Sequence, residues 1–212
     1  MRSVGPSCLF FLFLLMSCNS SEEKKAVDPG KDSPALKKEV KIQAKNEVKT
    51  KKPPIINIVD TITPKKIIVY FTDSAANLER IKIKLAEIYG LRIAEIFKKN
   101  SLKVAGQPMA WYISRKAPYF FEAGIPVNTK PLKLTAGAKV RELRSDSAVI
   151  AHFYGPYDLI NAGYEALNDW MKDHNKKANG SSYEIYISDP FDKKGKPMDP
   201  YKVQTDIVFP RK

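Results

Sequence analysis

The chain is poor in the residues that carry most metal and covalent chemistry, with two cysteines and two histidines among 212 residues. Cys8 and Cys18 both lie in the first 18 positions, so the rest of the chain can form no disulfide and must hold its fold by packing. His152 and His174 have no cysteine near them, which leaves a histidine- or cysteine-based metal site without support; no metal and no cofactor is expected. A G-x-S-x-G elbow is missing, and Ser147 stands near His152 only in sequence, so serine–histidine–acid catalysis has little footing. Long apolar runs are also missing: the longest, from Cys8 to Met16, is about half of the ~20 residues that a membrane crossing needs. Acids are the scarcer charge, giving a net +13. The excess is diffuse, with 12 lysines against 7 acids over residues 19–68 and the remainder spread over 69–212. Such a distribution reads as solvated surface, and no nucleic-acid partner is expected.

What is present falls into three parts. Residues 1–18, MRSVGPSCLFFLFLLMSC, combine a basic start, a short apolar stretch and small residues, the pattern of a secretory signal. Leu15-Met16-Ser17-Cys18 resembles the lipobox of bacterial lipoproteins, which implies cleavage before Cys18, lipidation of that residue and a membrane partner through the lipid. Residues 19–64 are rich in Lys, Glu, Ser and Pro and read as a tether. The SSEEKK segment is similar to export signals of surface lipoproteins, so the expected location is the cell envelope, the outer membrane rather than the inner.

Residues 65–212 are patterned throughout. Lys66–Phe71 reads as a strand, Asp73 and Ser74 are N-cap types, and a helix with Leu78, Ile81, Leu85 and Ile88 on one stripe follows, with Gly90 marking a kink or division. Strands Met109–Ile113 and Tyr119–Ile125 come next. The order then repeats: strand Ser147–Tyr154, a Gly-Pro turn, a helix with Leu159, Ala162, Ala166, Leu167 and Trp170 as its inner side, the strand YEIYI from Tyr183, and strand Val203–Phe209. An extra strand, Ala138–Leu143, is expected to pair in front of Ser147. One strand-helix-strand-strand unit buries too little to stand alone. Two packed with pseudo-twofold symmetry predict an α+β fold, an antiparallel sheet with helices on one face and a ligand cleft on the other.

Four segments, EAGIPV (122–127), AHFYGPYDLINAGYEAL (151–167), YEIYISDP (183–190) and QTDIVFP (204–210), resemble the GyrI-like, or AraC-type effector-binding, domain. The resemblance implies a small amphipathic or cationic ligand held in a cleft, with a glutamate that carries over onto Glu184. Some stand-alone members resemble hydrolases of cyclopropanoid-like compounds that use the same glutamate with a tyrosine. No helix-turn-helix pattern occurs within the 212 residues, so direct transcriptional control is not expected.

Strand alternation sorts the remaining candidates. Tyr183, Ile185 and Ile187 suit the helix-covered face, leaving Glu184 and Tyr186 for the cleft; the alternative is that Glu184 pairs with a lysine at the sheet edge. Tyr154 and one of Trp111 and Tyr112 complete the candidate ligand contacts, although each aromatic also suits packing. Three functions stand open: a lipid-anchored binding module for sequestering or sensing, a hydrolase in which Glu184 is the catalytic base, and a protein-interaction module with a closed cleft.

Overall fold

The computed structural model describes residues 52–212; the signal, Cys18 and the tether as far as residue 51 lie outside the described residues. Alternating and β-branched stretches form eight strands: β1 (Ile55–Thr63), β2 (Lys66–Ala75), β3 (Met109–Ser114), β4 (Tyr119–Val127), β5 (Ala138–Leu143), β6 (Asp146–Tyr154), β7 (Tyr183–Tyr186) and β8 (Gln204–Pro210). They make one antiparallel sheet in the order β1-β6-β8-β7-β3-β4-β2-β5. Reversing that order and exchanging β2 with β6, β3 with β7, β4 with β8 and β5 with β1 returns the same list. The α+β duplication is therefore present, with its pseudo-twofold between β3 and β7.

One boundary and one strand pairing differ from the sequence reading. The tether was expected to run to residue 64, but Ile55–Thr63 pairs along its whole length with β6, so the domain starts earlier. IINIVDTIT carries enough β-branched residues for a strand, and its pairing partner is far away in sequence. Strand β5 pairs with β2 and not with β6. Each half thus lends its leading strand to an outer position: β1 flanks the second half and β5 flanks the first.

That exchange bends the sheet. β1 and β2 are joined by Pro64 and Lys65 alone, and β5 and β6 by Arg144 and Ser145 alone, yet each pair is six strand spacings apart in the sheet order. A flat sheet would separate them by about 29 Å, whereas the three residue steps across each link reach about 11 Å. The sheet must curl. Its helix-free face becomes the inside, where Ile68 and Tyr70 of β2 join Met109, Trp111, Tyr183 and Val208 with Ala148 of β6 in a single buried cluster.

The outer face carries the helices and splits into two cores. In the first half α1 (Leu78–Glu87), a π-helical stretch (Ile88–Arg92) and α2 (Ile93–Asn100) run on in sequence and bury Ile81, Ile88, Ile93 and Ile96 against Val69, Phe71 and Phe121. Asn77, rather than Asp73 or Ser74, caps α1, accepting a 2.9 Å bond from the Arg80 N–H, because β2 continues to Ala75. Gly90 lies in the π-helical stretch, so the rod is distorted there without being broken. In the second half α3 (Asn161–Asp173) buries Gly163, Tyr164, Leu167 and Met171 against Phe153 and Ile207. This stripe is rotated from the expected Ala162, Ala166 and Trp170, and Gly163 is the reason: a Cβ there would stand 2.5 Å from Ile207 Cδ1. The helix comes down on β8 at that glycine.

Candidate functional site

Between the two outer cores runs a seam, and Glu184 lies in it. Strand β7 places Glu184 and Tyr186 on the outer face and Tyr183 and Ile185 inside, the reverse of the expected assignment. The physical reason is the curl: the inner face closes on itself and demands the apolar pair, so the charged side chain goes to the helix side. Glu184 is 1% exposed. Its cross-strand partner from the first half is Ala110, fully buried.

A buried carboxylate costs several kcal/mol unless its oxygens are bonded. Two phenols supply those bonds. Tyr157 donates from its hydroxyl to Oε2 at 2.7 Å, and Tyr164 donates to Oε1 at 3.0 Å. Tyr157 opens the short 3-10 turn Tyr157–Leu159 before α3, and Tyr164 is one turn into the helix, seven residues on, so both look down onto β7. Across the seam, the hydroxyl of Tyr112 from the first half and that of Tyr186 on β7 bond to each other at 2.9 Å. Tyr89, whose hydroxyl donates to the Met109 carbonyl at 2.9 Å, packs edge-on against Tyr186 with centroids 6.4 Å apart. Among the described residues no buried side-chain nitrogen or oxygen lacks a partner, so the cage is complete as it stands.

The electrostatics follow from burial. Loss of solvent raises the Glu184 pKa above the ordinary carboxylate value, while the hydroxyls of Tyr157, Tyr164 and Tyr186 and the charge of Arg115 pull it down. The phenols of Tyr112, Tyr157, Tyr164 and Tyr186 are pushed up, by burial first and in each case also by the Glu184 charge. They are neutral donors at any physiological pH.

The seam opens into a cavity of about 80 Å³ whose lining includes Leu78 and Ile81 of α1, Asn161 of α3, Tyr112, Arg115 and Glu184. A larger hollow of about 620 Å³ lies where the inner face meets the β5–β6 link, with Trp111, Tyr183, Arg141 and Glu122 in its wall. There Arg141 Nη2 sits 2.5 Å from Glu122 Oε2, and its guanidinium carbon lies 4.7 Å from the ring centroids of both Tyr70 and Trp111. Arg141 and Glu122 are thus paired with each other.

Of the sequence candidates, Glu184, Tyr186 and Tyr112 meet at the seam. Trp111 lies on the other side of the sheet, which decides between it and Tyr112. Tyr154 is also elsewhere: its hydroxyl donates to Gln204 Oε1 at 2.7 Å, beside a His152 Nδ1–Asp206 Oδ1 pair at 2.7 Å. Sequence reasoning missed Tyr157, Tyr164 and Arg115. The first follows the Gly-Pro turn and the second lies inside the expected helix, and their i, i+7 spacing was the available signal. Among the described residues no cluster of His, Cys, Asp and Glu could hold a metal ion.

Neither a protein-family model nor a curated protein matches this chain. Solved structures do. The crystal structure of the EcmrR C-terminal domain is 20% identical, with a TM-score of 0.62 over 74% of this chain and 98% of that one. EcmrR in its DNA complex gives 21% identity and the same TM-score, and there the chain spans 57% of the EcmrR length. An uncharacterized conserved protein from Listeria innocua is 13% identical, with a TM-score of 0.51 over 76% of this chain and 93% of that one. At these identities the likeness is one of fold, and the fold is GyrI-like.

Proposed function

We propose that the domain is a receptor for a small amphipathic organic cation, seated against Glu184 in the seam between its halves. The observation that carries this reading is a fully buried carboxylate, held by two phenols, at a place where packing alone would take an apolar residue, as it does at the facing Ala110. A carboxylate beneath aromatic rings is the arrangement that neutralises a cation while ring faces attract it. Titrating tetraphenylphosphonium into the full-length chain, followed by calorimetry, tests it: Glu184→Gln should weaken binding at least tenfold, about 1.4 kcal/mol. Micromolar binding unchanged by that substitution would remove the carboxylate from the site.

The module's setting is part of the proposal. The Leu15-Met16-Ser17-Cys18 sequence supports lipidation at Cys18 and an envelope-anchored sequestering or sensing role. Labelled palmitate should enter the wild type and not Cys18→Ala.

One observation favours a second reading. The 2.7 Å Tyr157–Glu184 contact pairs a base with a proton donor, as a hydrolase of small electrophilic compounds would need. Turnover of a cyclopropane-bearing electrophile, abolished by Glu184→Gln, would replace the receptor with an enzyme.

A further inference from the structure

The seam cavity of about 80 Å³ is smaller than the ~300–1,000 Å³ of ordinary small-molecule sites. Part of what fills it is a cation of the protein's own. Arg115 lines the cavity together with Glu184, and its guanidinium carbon lies 3.3 Å from the centroid of the Tyr164 ring. That ring is the one whose hydroxyl donates to Glu184 Oε1. A positive charge over an aromatic face next to a buried carboxylate is what the receptor reading asks of its ligand.

The backbone aims Arg115 there. Strict alternation from Tyr112 would put Ser114 on the outer face and Arg115 inside. The register between β3 and β4 shifts between Tyr112 and Ser114, and this irregularity turns Arg115 back to the side of Tyr112. The rest of the β3–β4 connection is at the surface: Arg115, Lys116, Ala117 and Pro118 are exposed as residues, and only the guanidinium reaches in. Withdrawing it to water therefore moves one side chain at a hairpin tip and leaves both cores packed.

We infer that Arg115 is the resident cation of the seam, a tethered competitor that an organic cation must displace from Tyr164 before it reaches Glu184. The inference rests on the receptor reading and adds the residue that sets its threshold. Ligands with a broad, poorly hydrated charge gain more from the ring and carboxylate than the guanidinium does, whereas small hydrated ions gain less.

The sign of one substitution tests this. A residue that merely helps to build the site should weaken binding when removed; a competitor should strengthen it. In the full-length chain Arg115→Ala should bind tetraphenylphosphonium roughly tenfold tighter than the wild type, the size of one displaced cation–π contact. Millimolar guanidinium chloride should reverse the gain in Arg115→Ala, with potassium chloride at equal ionic strength leaving it intact. Arg115→Gln, which keeps most of the side-chain bulk, should show the same gain if the alanine variant folds poorly. Equal or weaker binding by both variants overturns the inference while leaving the receptor reading standing, provided Glu184→Gln still weakens binding. A Glu184→Gln protein that binds like the wild type removes the receptor reading, and absence of binding by wild type and both Arg115 variants removes both.

Discussion

The two halves share one plan and bury different chemistry. Under α1 and α2 the first half packs Val69, Phe71, Ile93, Ile96 and Phe121 with no buried charge, whereas the three buried polar or charged side chains among the described residues, Glu184, Thr205 and Asp206, all belong to the second half. At the pseudo-twofold the contrast is sharpest, since Ala110 of β3 faces Glu184 of β7. Duplication supplies two equivalent positions, and one of them has been given the carboxylate, with its phenol donors nearby on α3 and in the turn before it. Fold-level symmetry and site-level asymmetry therefore coexist. The first needs only matched apolar faces, while the second needs a donor for every lone pair it buries.

Making the halves alike should break the protein. Ala110→Glu places a second carboxylate opposite the first, with no phenols of its own, and should cost about 3–5 kcal/mol of stability. Chemical denaturation measures this, and a loss under about 1 kcal/mol would mean that the seam is wetter than its burial implies.

Removing the donors should cost less. Tyr157→Phe and Tyr164→Phe each leave one oxygen of Glu184 unsatisfied, at about 1–3 kcal/mol. Because both act on one carboxylate, the double variant should depart from the sum of the singles; strict additivity would separate them.

A third test uses pH. Burial raises the Glu184 pKa, so the folded chain holds this proton at pH values where the unfolded chain has released it. The stability contribution is complete below the ordinary carboxylate value of 4.5 and declines as pH rises from there toward the folded pKa, by at most about 1.4 kcal/mol per unit. Glu184→Gln should remove that decline, and the two denaturation curves should converge in acid. Arg115, Asp158 and the four phenols face the same space, and the phenols stay neutral throughout. A decline of equal slope in Glu184→Gln would assign the titration to another group.

The smallest effect should come from the other face. Tyr154→Phe loses one hydrogen bond to Gln204, worth about 1 kcal/mol, and should leave tetraphenylphosphonium affinity unchanged. A weakening there would extend the site around the sheet edge.

Much of the architecture was legible along the chain. β5 was read with its observed ends, and the two strand-helix-strand-strand units with their order were visible because strand and helix periods are local properties of ten or so residues. Residues Ile55–Thr63 were misread because an edge strand is recognised by its partner, and β6 lies about ninety positions away. The pairing of β5 with β2 was hidden for the same reason. At the site, Glu184 and Tyr186 were found from alternation and resemblance together. Tyr157, Tyr164 and Arg115 were not, since their roles depend on a helix seated at Gly163 and on a register shift before a hairpin.

By itself, then, the order of residues determined the duplicated α+β pattern and the placing of Glu184 and Tyr186 on one strand face, because each of these is set by a short period. Which face that was, and what stands around it, belonged to the tertiary structure. Two links of two residues each force the sheet to curl, the curl makes the helix-free face an interior, and the carboxylate is left on the outer face, where the two halves meet and their tyrosines converge.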